Sequence, residues 1–173
     1  CAPGSYSLGA VTECDPCPPG YSCLMPSGFP EQCANGSYSL TNWAYCVDCP
    51  AGQSCLSPDD PPVPCEAGYY SKGGAVRCTP CETGWYSNGT SWDHCSVCPA
   101  YSCADPTMAP ATCPRGTFSA GGSATCTGCL EGWYSLEGSD SCMLCPVGHE
   151  CPDASVDPDP CTQGFYLEGG AIS

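Results

Sequence analysis

The sequence predicts a small disulfide-rich fold, a tandem array of short β-ribbon and loop modules forming an elongated rod. Leu, Ile, Val and Phe together number only 19 of 173 residues and the net charge is −15, a composition that without cross-links is typical of disorder. The chain also has 21 cysteines, a level typical of disulfide scaffolds. These cysteines recur at fixed spacings along the whole chain, which predicts repeated modules.

Two types of cysteine repeat account for every cysteine. The long repeat, C-x12-C-x2-C-x5-C-x9, has 32 residues, and the short repeat, C-x12-C-x2, has 16. The repeat at 81–112 gains one residue early and loses one later, so its length is unchanged. A constant length is expected where each module rests on its neighbours. The predicted domains are therefore 1–32, 33–64, 65–80, 81–112, 113–128 and 129–160, followed by a truncated repeat at 161–173.

A glycine and an aromatic residue keep the same phase as the opening cysteine of each repeat. The glycine permits a backbone turn with positive φ, and we expect each aromatic ring to pack on its own or a neighbouring disulfide. The glycines are Gly4, Gly36, Gly68, Gly84, Gly116, Gly132 and Gly164. The aromatic residues are Tyr6, Tyr38, Tyr70, Tyr86, Phe118, Tyr134 and Tyr166.

The mixture of repeat types predicts the disulfide pairing. Short repeats have two cysteines and long repeats four, so they can be mixed freely only if each closes its own bonds. The predicted pairs are Cys1–Cys14, Cys17–Cys23, Cys33–Cys46, Cys49–Cys55, Cys65–Cys78, Cys81–Cys95, Cys98–Cys103, Cys113–Cys126, Cys129–Cys142 and Cys145–Cys151. We expect the remaining cysteine, Cys161, to pair with a cysteine beyond residue 173.

The rest of each repeat predicts turns and short ribbons. The final nine residues of the long repeats, such as 56–64, are rich in proline and polar residues, and we interpret them as exposed loops. No stretch has helical apolar periodicity over three turns.

Composition also limits the compartment and the partners. Many stable disulfides indicate an oxidising, extracellular environment. With three basic residues against 18 acidic ones, we expect neither nucleic-acid binding nor attraction to an anionic membrane surface. No apolar run is long enough to span a bilayer, so no membrane contact is expected from this segment. The chain starts and stops within the repeat pattern, and we expect it to be a mature stretch of a longer polypeptide.

The repeat resembles a known family. Residues 33–55 carry Cys-x-x-Gly-x-Tyr-Ser, followed by Cys-x-x-Cys-Pro-x-Gly-x-x-Cys. This pattern resembles the ephrin-receptor-like cysteine-rich repeat, which is related to the tumour-necrosis-factor-receptor and EGF-like modules, and it recurs along the whole chain. The resemblance implies the fold and the compartment, since such repeats occur both in receptors and in large surface proteins. The 16-residue repeats, and the lack of a flanking ligand-binding or kinase segment, depart from the family.

Cysteine pairs and histidines are the candidates for metal binding and catalysis in this sequence. Six C-x2-C pairs have zinc-ligand spacing, but we expect their members to belong to different disulfides. No helix N-terminus or cation is evident that would favour a redox-active pair. His94 and His149 could each act as a general base, yet neither accompanies a recognisable nucleophile motif. We therefore predict no enzyme, no catalytic residue, no metal-ligating residue and no cofactor.

Calcium is the alternative that the charge leaves open. Acidic clusters occur at Asp59–Asp60 and at Asp153, Asp157 and Asp159, within proline-rich segments. They lack EF-hand spacing, so we interpret them as a solvated, self-repelling surface, with specific calcium binding as the alternative.

Two sequons predict N-linked glycans. They are Asn35-Gly-Ser37 and Asn88-Gly-Thr90, and their turn-like Asn-Gly setting favours occupancy in a secreted protein. The alternative is a chance occurrence in a chain rich in serine and threonine.

Two functions follow as hypotheses. The first is a structural extracellular glycoprotein, a rod-like segment of a surface fibre, of an appendage such as a flagellar hair-like filament, or of a matrix. Its partners would be like chains or other extracellular proteins. The second is a receptor ectodomain that binds a protein ligand, with Trp43, Trp85, Trp92 and Trp133 as candidate contact residues. The alternative for these tryptophans is a packing role, and the rest of the polypeptide would discriminate the two functions.

Overall fold

A computed structural model of the chain describes residues 1–9, 13–99 and 101–162. Over these residues the structure has eighteen two-residue β-strands in nine antiparallel ribbons, and it has no helix. The chain divides into two compact units. The first comprises Cys1–Pro80 and Gly89–Cys95, and the second comprises Cys81–Asn88 and Ser96–Ser173. The predicted fold class of tandem small disulfide-rich modules is confirmed.

The first compact unit contains five ribbons, each made of two consecutive strands. They are β1 (Ser5–Tyr6) with β2 (Asp15–Pro16), β3 (Tyr21–Ser22) with β4 (Glu31–Gln32), β5 (Ser37–Tyr38) with β6 (Val47–Asp48), β7 (Gln53–Ser54) with β8 (Val63–Pro64), and β9 (Tyr69–Tyr70) with β10 (Thr79–Pro80). The register is the same throughout, as in the pairing of Ser5 with Pro16 and of Tyr21 with Gln32.

Four more ribbons and one isolated bridge are described in the second compact unit. The ribbons are β11 (Trp85–Tyr86) with β12 (Ser96–Val97), β13 (Thr117–Phe118) with β14 (Thr127–Gly128), β15 (Trp133–Tyr134) with β16 (Met143–Leu144), and β17 (His149–Glu150) with β18 (Asp159–Pro160). The bridge joins Ser102 and Ala111. It takes the place of a ribbon in the segment that lost one residue from the repeat pattern.

The structural period is 16 residues, half the length of the long repeat. The first strands of successive ribbons begin at residues 5, 21, 37, 53, 69 and 85, and then at 117, 133 and 149. We call each 16-residue ribbon with its disulfide a module and count its positions from its first cysteine. The long repeats at 1–32, 33–64 and 129–160 thus each consist of two ribbons, whereas the second half of the 81–112 repeat has the isolated bridge.

The interpretation of the final nine residues of the long repeats as loops alone is wrong. These segments are exposed, but they end in the strands β4, β8 and β18. Proline and polar composition indicated loops, whereas a two-residue strand at the edge of a ribbon depends on backbone groups. An edge strand tolerates proline on the side where no N–H is required, as Pro64 and Pro160 illustrate.

The centre of the modules is made of cysteine and serine rather than of aromatic rings. The largest fully buried side chains are Cys17, Cys49, Cys65, Cys98, Cys113, Cys145, Ser39, Ser87 and Ser135. The in-phase aromatic rings of the described modules are only half-buried, and Tyr38 packs at 5.5 Å from the ring of Trp43. Apolar burial per module is therefore small, and the disulfides occupy the place of a core.

Candidate functional site

The disulfides fasten each ribbon at a fixed place. Bonds with a sequence separation of 13 span the ribbon in five modules, joining Cys1–Cys14, Cys33–Cys46, Cys65–Cys78, Cys113–Cys126 and Cys129–Cys142. Shorter bonds, with a separation of 5 or 6, join Cys17–Cys23, Cys49–Cys55, Cys98–Cys103 and Cys145–Cys151. These nine bonds join cysteines that the mixture of short and long repeats predicts to be paired. Cys81 and Cys95 are also disulfide-bonded, and Cys161 is free and half-buried.

The C-x2-C pairs are divided between different disulfides. Cys14 is bonded to Cys1 and Cys17 to Cys23, and the pairs at 46/49, 126/129 and 142/145 are divided in the same way. A sulfur in a disulfide is not a thiolate and cannot serve as a zinc ligand. Over the described ranges, no group of three or more His, Cys, Asp or Glu is arranged to hold a metal ion.

The glycine at module position 4 forms the closest approach between modules. Its φ lies between 77° and 90° at all nine described occurrences, as the sequence predicts. A Cβ on Gly36 would lie 2.0 Å from the carbonyl oxygen of Gly74, and a Cβ on Gly52 would lie 2.2 Å from that of Ser91. Each contact reaches two modules ahead. Glycine is therefore needed both for the turn and for the close packing of backbones.

Within each compact unit, backbone hydrogen bonds join modules to the ones that follow them. The position-4 amide donates to a carbonyl 19 residues ahead, from Gly20 to Ser39 at 3.0 Å and from Gly52 to Ser71 at 2.7 Å. The amide of Gly116 donates in the same way to Ser135, at 3.1 Å. The position-4 carbonyl accepts from the first cysteine of the following module, for example Cys49 to Gly36 at 2.8 Å. The junction therefore depends mainly on backbone groups, which do not change with the identity of the side chains.

A buried serine at position 7 is the feature that the sequence analysis missed. Ser39, Ser119 and Ser135 donate their hydroxyls to carbonyl oxygens 18 residues earlier, those of Tyr21, Tyr101 and Thr117, at 2.7, 3.1 and 2.9 Å. The signal was present, since serine follows the aromatic residue in six successive long-bridge modules. In modules with a short bridge, a buried cysteine occupies the same position, as Cys23 and Cys55 do. The side chain at position 7 is thus small and, in these modules, buried in the junction.

Position 10 of the long-bridge modules completes the junction. Its amide donates to the first cysteine of the preceding module, for example Asn42 to Cys17 at 3.0 Å and Gly74 to Cys49 at 2.7 Å. The backbone there is left-handed, with φ of 69° at Asn42 and 62° at Gly74. Ser91, which the one-residue insertion moves to position 11, is equivalent and has a φ of 64°. Glycine adopts this conformation freely and asparagine tolerates it, whereas serine is strained there.

Two surface grooves occupy equivalent places in the module pattern. The groove in the second compact unit has a volume of about 450 Å³ and is lined by Phe118, Leu130, Trp133 and neighbouring backbone. The groove in the first has a volume of about 410 Å³ and is lined by residues including Tyr69 and Glu66. Their linings coincide at module positions 1, 2, 5, 6 and 13–16. The groove with Trp133 is the more apolar of the two.

The candidate contact tryptophans differ in their surroundings. Trp85 and Trp133 are exposed by 43% and 38%, whereas Trp43 and Trp92 are half-buried. Trp43 packs on Tyr38, and the Trp92 ring lies 6.4 Å from that of His94. Only Trp133 lines one of the two grooves.

The histidines contact acidic or backbone groups. His94 Nδ1 lies beside the Asp93 carboxylate, and His149 Nδ1 is 3.3 Å from the carbonyl oxygen of Val147. Neither ring makes a hydrogen bond to a serine hydroxyl or a thiol within the described residues.

The acidic segments form local turns. The Thr107 hydroxyl donates to the Asp105 carboxylate at 2.6 Å and the Thr107 amide does so at 2.9 Å, which lowers the pKa of Asp105. The Ser155 amide and hydroxyl lower the pKa of Asp153 in the same way, and the Ser57 hydroxyl lowers that of Asp59. These carboxylates are fully exposed and act as turn acceptors.

Both sequon asparagines lie on the surface. Asn35 is exposed at module position 3, and Asn88 is exposed just after β11. Their third residues differ, because Ser37 is 7% exposed whereas Thr90 lies open to solvent.

Comparison with known families assigns the central part of the chain. Residues 68–115 match the model of a family described as Tyrosine-protein kinase ephrin type A/B receptor-like. This segment is similar to the ephrin-receptor-like family. No curated protein matches the chain.

The ephrin-receptor-like segment and the bonded cysteines together indicate an extracellular or cell-surface protein rich in disulfides. The described residues contain no helix with the length and apolar character required to cross a membrane.

Proposed function

We propose that this chain is a structural segment of an extracellular fibre, appendage or matrix, in which modules stack on one another and like chains or other extracellular proteins are the partners. The observation that carries the proposal is the repeated junction. The position-4 glycine and the position-7 serine or cysteine make the same backbone-directed contacts at successive modules. A junction made this way can be repeated to any length with little change of sequence.

The energetics fit a structural role. A disulfide that closes a loop of about 15 residues contributes roughly 3 kcal/mol by restricting the unfolded chain. In the described modules, disulfides take the place of an apolar core. The net charge of −15 keeps such a protein soluble and opposes non-specific association, so association between chains requires specific patches.

Assembly of the purified, oxidised chain tests the proposal. We expect sedimentation velocity to show concentration-dependent association into species larger than a dimer, and electron microscopy to show linear assemblies. The Gly36→Ala variant, which places a methyl group against the Gly74 carbonyl, should weaken assembly. Gly148→Ala, where a Cβ meets no atom of the described residues within 4 Å, is the matched control. A chain that stays monomeric at all concentrations contradicts the fibre function.

A receptor function is the second candidate, and one observation favours it. Trp133 and Leu130, exposed by 38% and 77%, line the apolar groove of the second compact unit. Exposed tryptophan in a pocket is typical of residues that dominate binding energy. If a protein ligand binds there, Trp133→Ala should weaken binding by at least about 2 kcal/mol, whereas Trp85→Ala, outside the groove, should not.

A further inference from the structure

We propose that the folded protein presents Asn88, and not Asn35, to an N-glycosylating transferase, so that Asn35 accepts an oligosaccharide only before its module has folded. The proposal requires passage through the secretory pathway and is independent of whether the chain forms a fibre. The two sequons have the same first two residues, Asn-Gly, and differ in how the fold uses the residues that follow.

The chemistry requires access to more than the asparagine. The side-chain amide nitrogen forms a bond to the anomeric carbon of an oligosaccharide carried on a polyprenyl diphosphate. The bond from that carbon to the diphosphate oxygen breaks, the lipid diphosphate leaves, and the nitrogen loses one proton to a base of the transferase. The serine or threonine two residues later is part of the recognised signal, so its hydroxyl and the intervening backbone must reach the enzyme.

At Asn35 this part of the signal is engaged inside the protein. The Ser37 hydroxyl donates to the carbonyl oxygen of Ala34 at 2.8 Å, and its amide donates to the same oxygen at 3.0 Å. Ser37 also pairs with Asp48 in the β5–β6 ribbon. Only the asparagine side chain itself remains exposed.

The middle residue of this sequon is fixed as well. The Gly36 carbonyl accepts from the Cys49 amide at 2.8 Å, and a Cβ on Gly36 would lie 2.0 Å from the Gly74 carbonyl oxygen. The backbone of the signal is thus packed against a module two further along the chain. Opening it requires separation of modules, not only rotation of a side chain.

At Asn88 the asparagine and the threonine of the signal are open, and the middle residue packs against a side chain rather than a backbone, since a Cβ on Gly89 would lie 3.0 Å from the Trp92 indole nitrogen. Asn88 and Thr90 are both exposed and Gly89 is half-buried. Within the described residues, the Thr90 hydroxyl makes no hydrogen bond to the protein. This sequon lies outside the β11 and β12 strands, in the segment that carries the one-residue insertion of the 81–112 repeat.

The test compares glycan transfer to folded and unfolded protein. Unglycosylated chain with intact disulfides, secreted from cells in which synthesis of the lipid-linked donor is inhibited, is incubated with detergent-solubilised microsomal transferase and a polyprenyl-diphosphate oligosaccharide. A reduced and alkylated sample serves as the unfolded reference. Peptide mass spectrometry measures occupancy at each site, with Ser37→Ala and Thr90→Ala as variants that each remove one signal.

We expect the folded chain to be modified at Asn88 at least about tenfold faster than at Asn35, since a local opening that costs about 1.4 kcal/mol already lowers the open population tenfold. Reduction should bring the two rates close together. Equal rates in the folded chain overturn the proposal, as does failure of folded Asn88 or of unfolded Asn35 to accept the oligosaccharide.

Discussion

Glycine at module position 4 serves the fold in two separable ways. Gly36 and Gly148 have almost the same backbone, with φ of 80° and 79°, so an added Cβ strains both turns alike. Only at Gly36 does that Cβ also meet another backbone, the Gly74 carbonyl. The pair therefore distinguishes the strain of the turn from the cost of separating modules.

Alanine at each of these positions is our first prediction. Gly148→Ala should lower the free energy of unfolding by about 1–2 kcal/mol through left-handed strain alone. Gly36→Ala should lose about 1–3 kcal/mol more, because a clash with backbone resembles overpacking. Urea unfolding followed by near-ultraviolet dichroism measures both. Equal losses would mean that the contact between modules adds nothing.

Ser91 offers a prediction of the opposite sign. It holds a φ of 64° where equivalent modules have glycine, for example Gly74 and Gly122 at 62° and 66°. Ser91→Gly should raise the free energy of unfolding by about 1 kcal/mol, since strain of this kind costs about 1–3 kcal/mol and glycine loses some of that gain to chain entropy. Asn42→Gly is the matched variant and should gain less, because asparagine tolerates this conformation. The same urea titration measures the free energy of unfolding of both variants. A lower value for Ser91→Gly than for the unmodified chain would show that Ser91 is not strained.

A ribbon of two-residue strands cannot stand alone. Isolated two-stranded hairpins are marginal in water even when longer, and the described ribbons bury few apolar side chains other than cysteine. Full reduction and alkylation should therefore leave a disordered ensemble without near-ultraviolet dichroism. An alkylated sample that keeps its native spectrum would show that packing, not cross-linking, holds the modules.

The turn at Asp105 predicts a local pH dependence. Hydrogen bonds from Thr107 lower the pKa of Asp105, so its contribution to the turn is present above the unfolded pKa and is lost as pH falls through the lower, folded pKa. Titration of the Asp105 carboxyl carbon by NMR should give a pKa below 3.8, the ordinary value of an aspartate carboxyl. Thr107→Ala should raise that pKa, because it removes the side-chain donor. An unchanged pKa would contradict the assigned cause.

Cysteine spacing and the in-phase glycine carried most of the predictive information at the level of the element. Spacing identifies residues that bond within one repeat, and the positive φ of glycine is a local property, so both were accessible from sequence. The serine that follows the aromatic residue also recurs visibly in the sequence, but its burial and its partner could not be predicted. Ser39 donates to a backbone carbonyl, that of Tyr21, and a backbone carbonyl has no sequence signature. The strands at 31–32 and 63–64 were missed for the same reason. Their pairing depends on backbone groups, whereas the proline-rich and polar composition of these segments is typical of loops.

At the scale of the whole molecule, the constant repeat length in the sequence predicts an elongated rod. Small-angle scattering of the oxidised chain should give a radius of gyration well above the ~16 Å expected of a compact domain of 173 residues. Gly36→Ala should change the scattering curve more than Gly148→Ala does. A compact value would contradict both the rod and the fibre function that depends on it.

The junction at module position 4 has one further consequence. A module contributes its position-4 amide and carbonyl to the contact, and the following module contributes other backbone groups. The two sides of the contact are therefore unlike, as in head-to-tail association of subunits. Contacts of this kind do not terminate themselves. The number of modules is then decided by gene duplication rather than by geometry, and the array can grow by 16-residue steps without a new interface having to evolve.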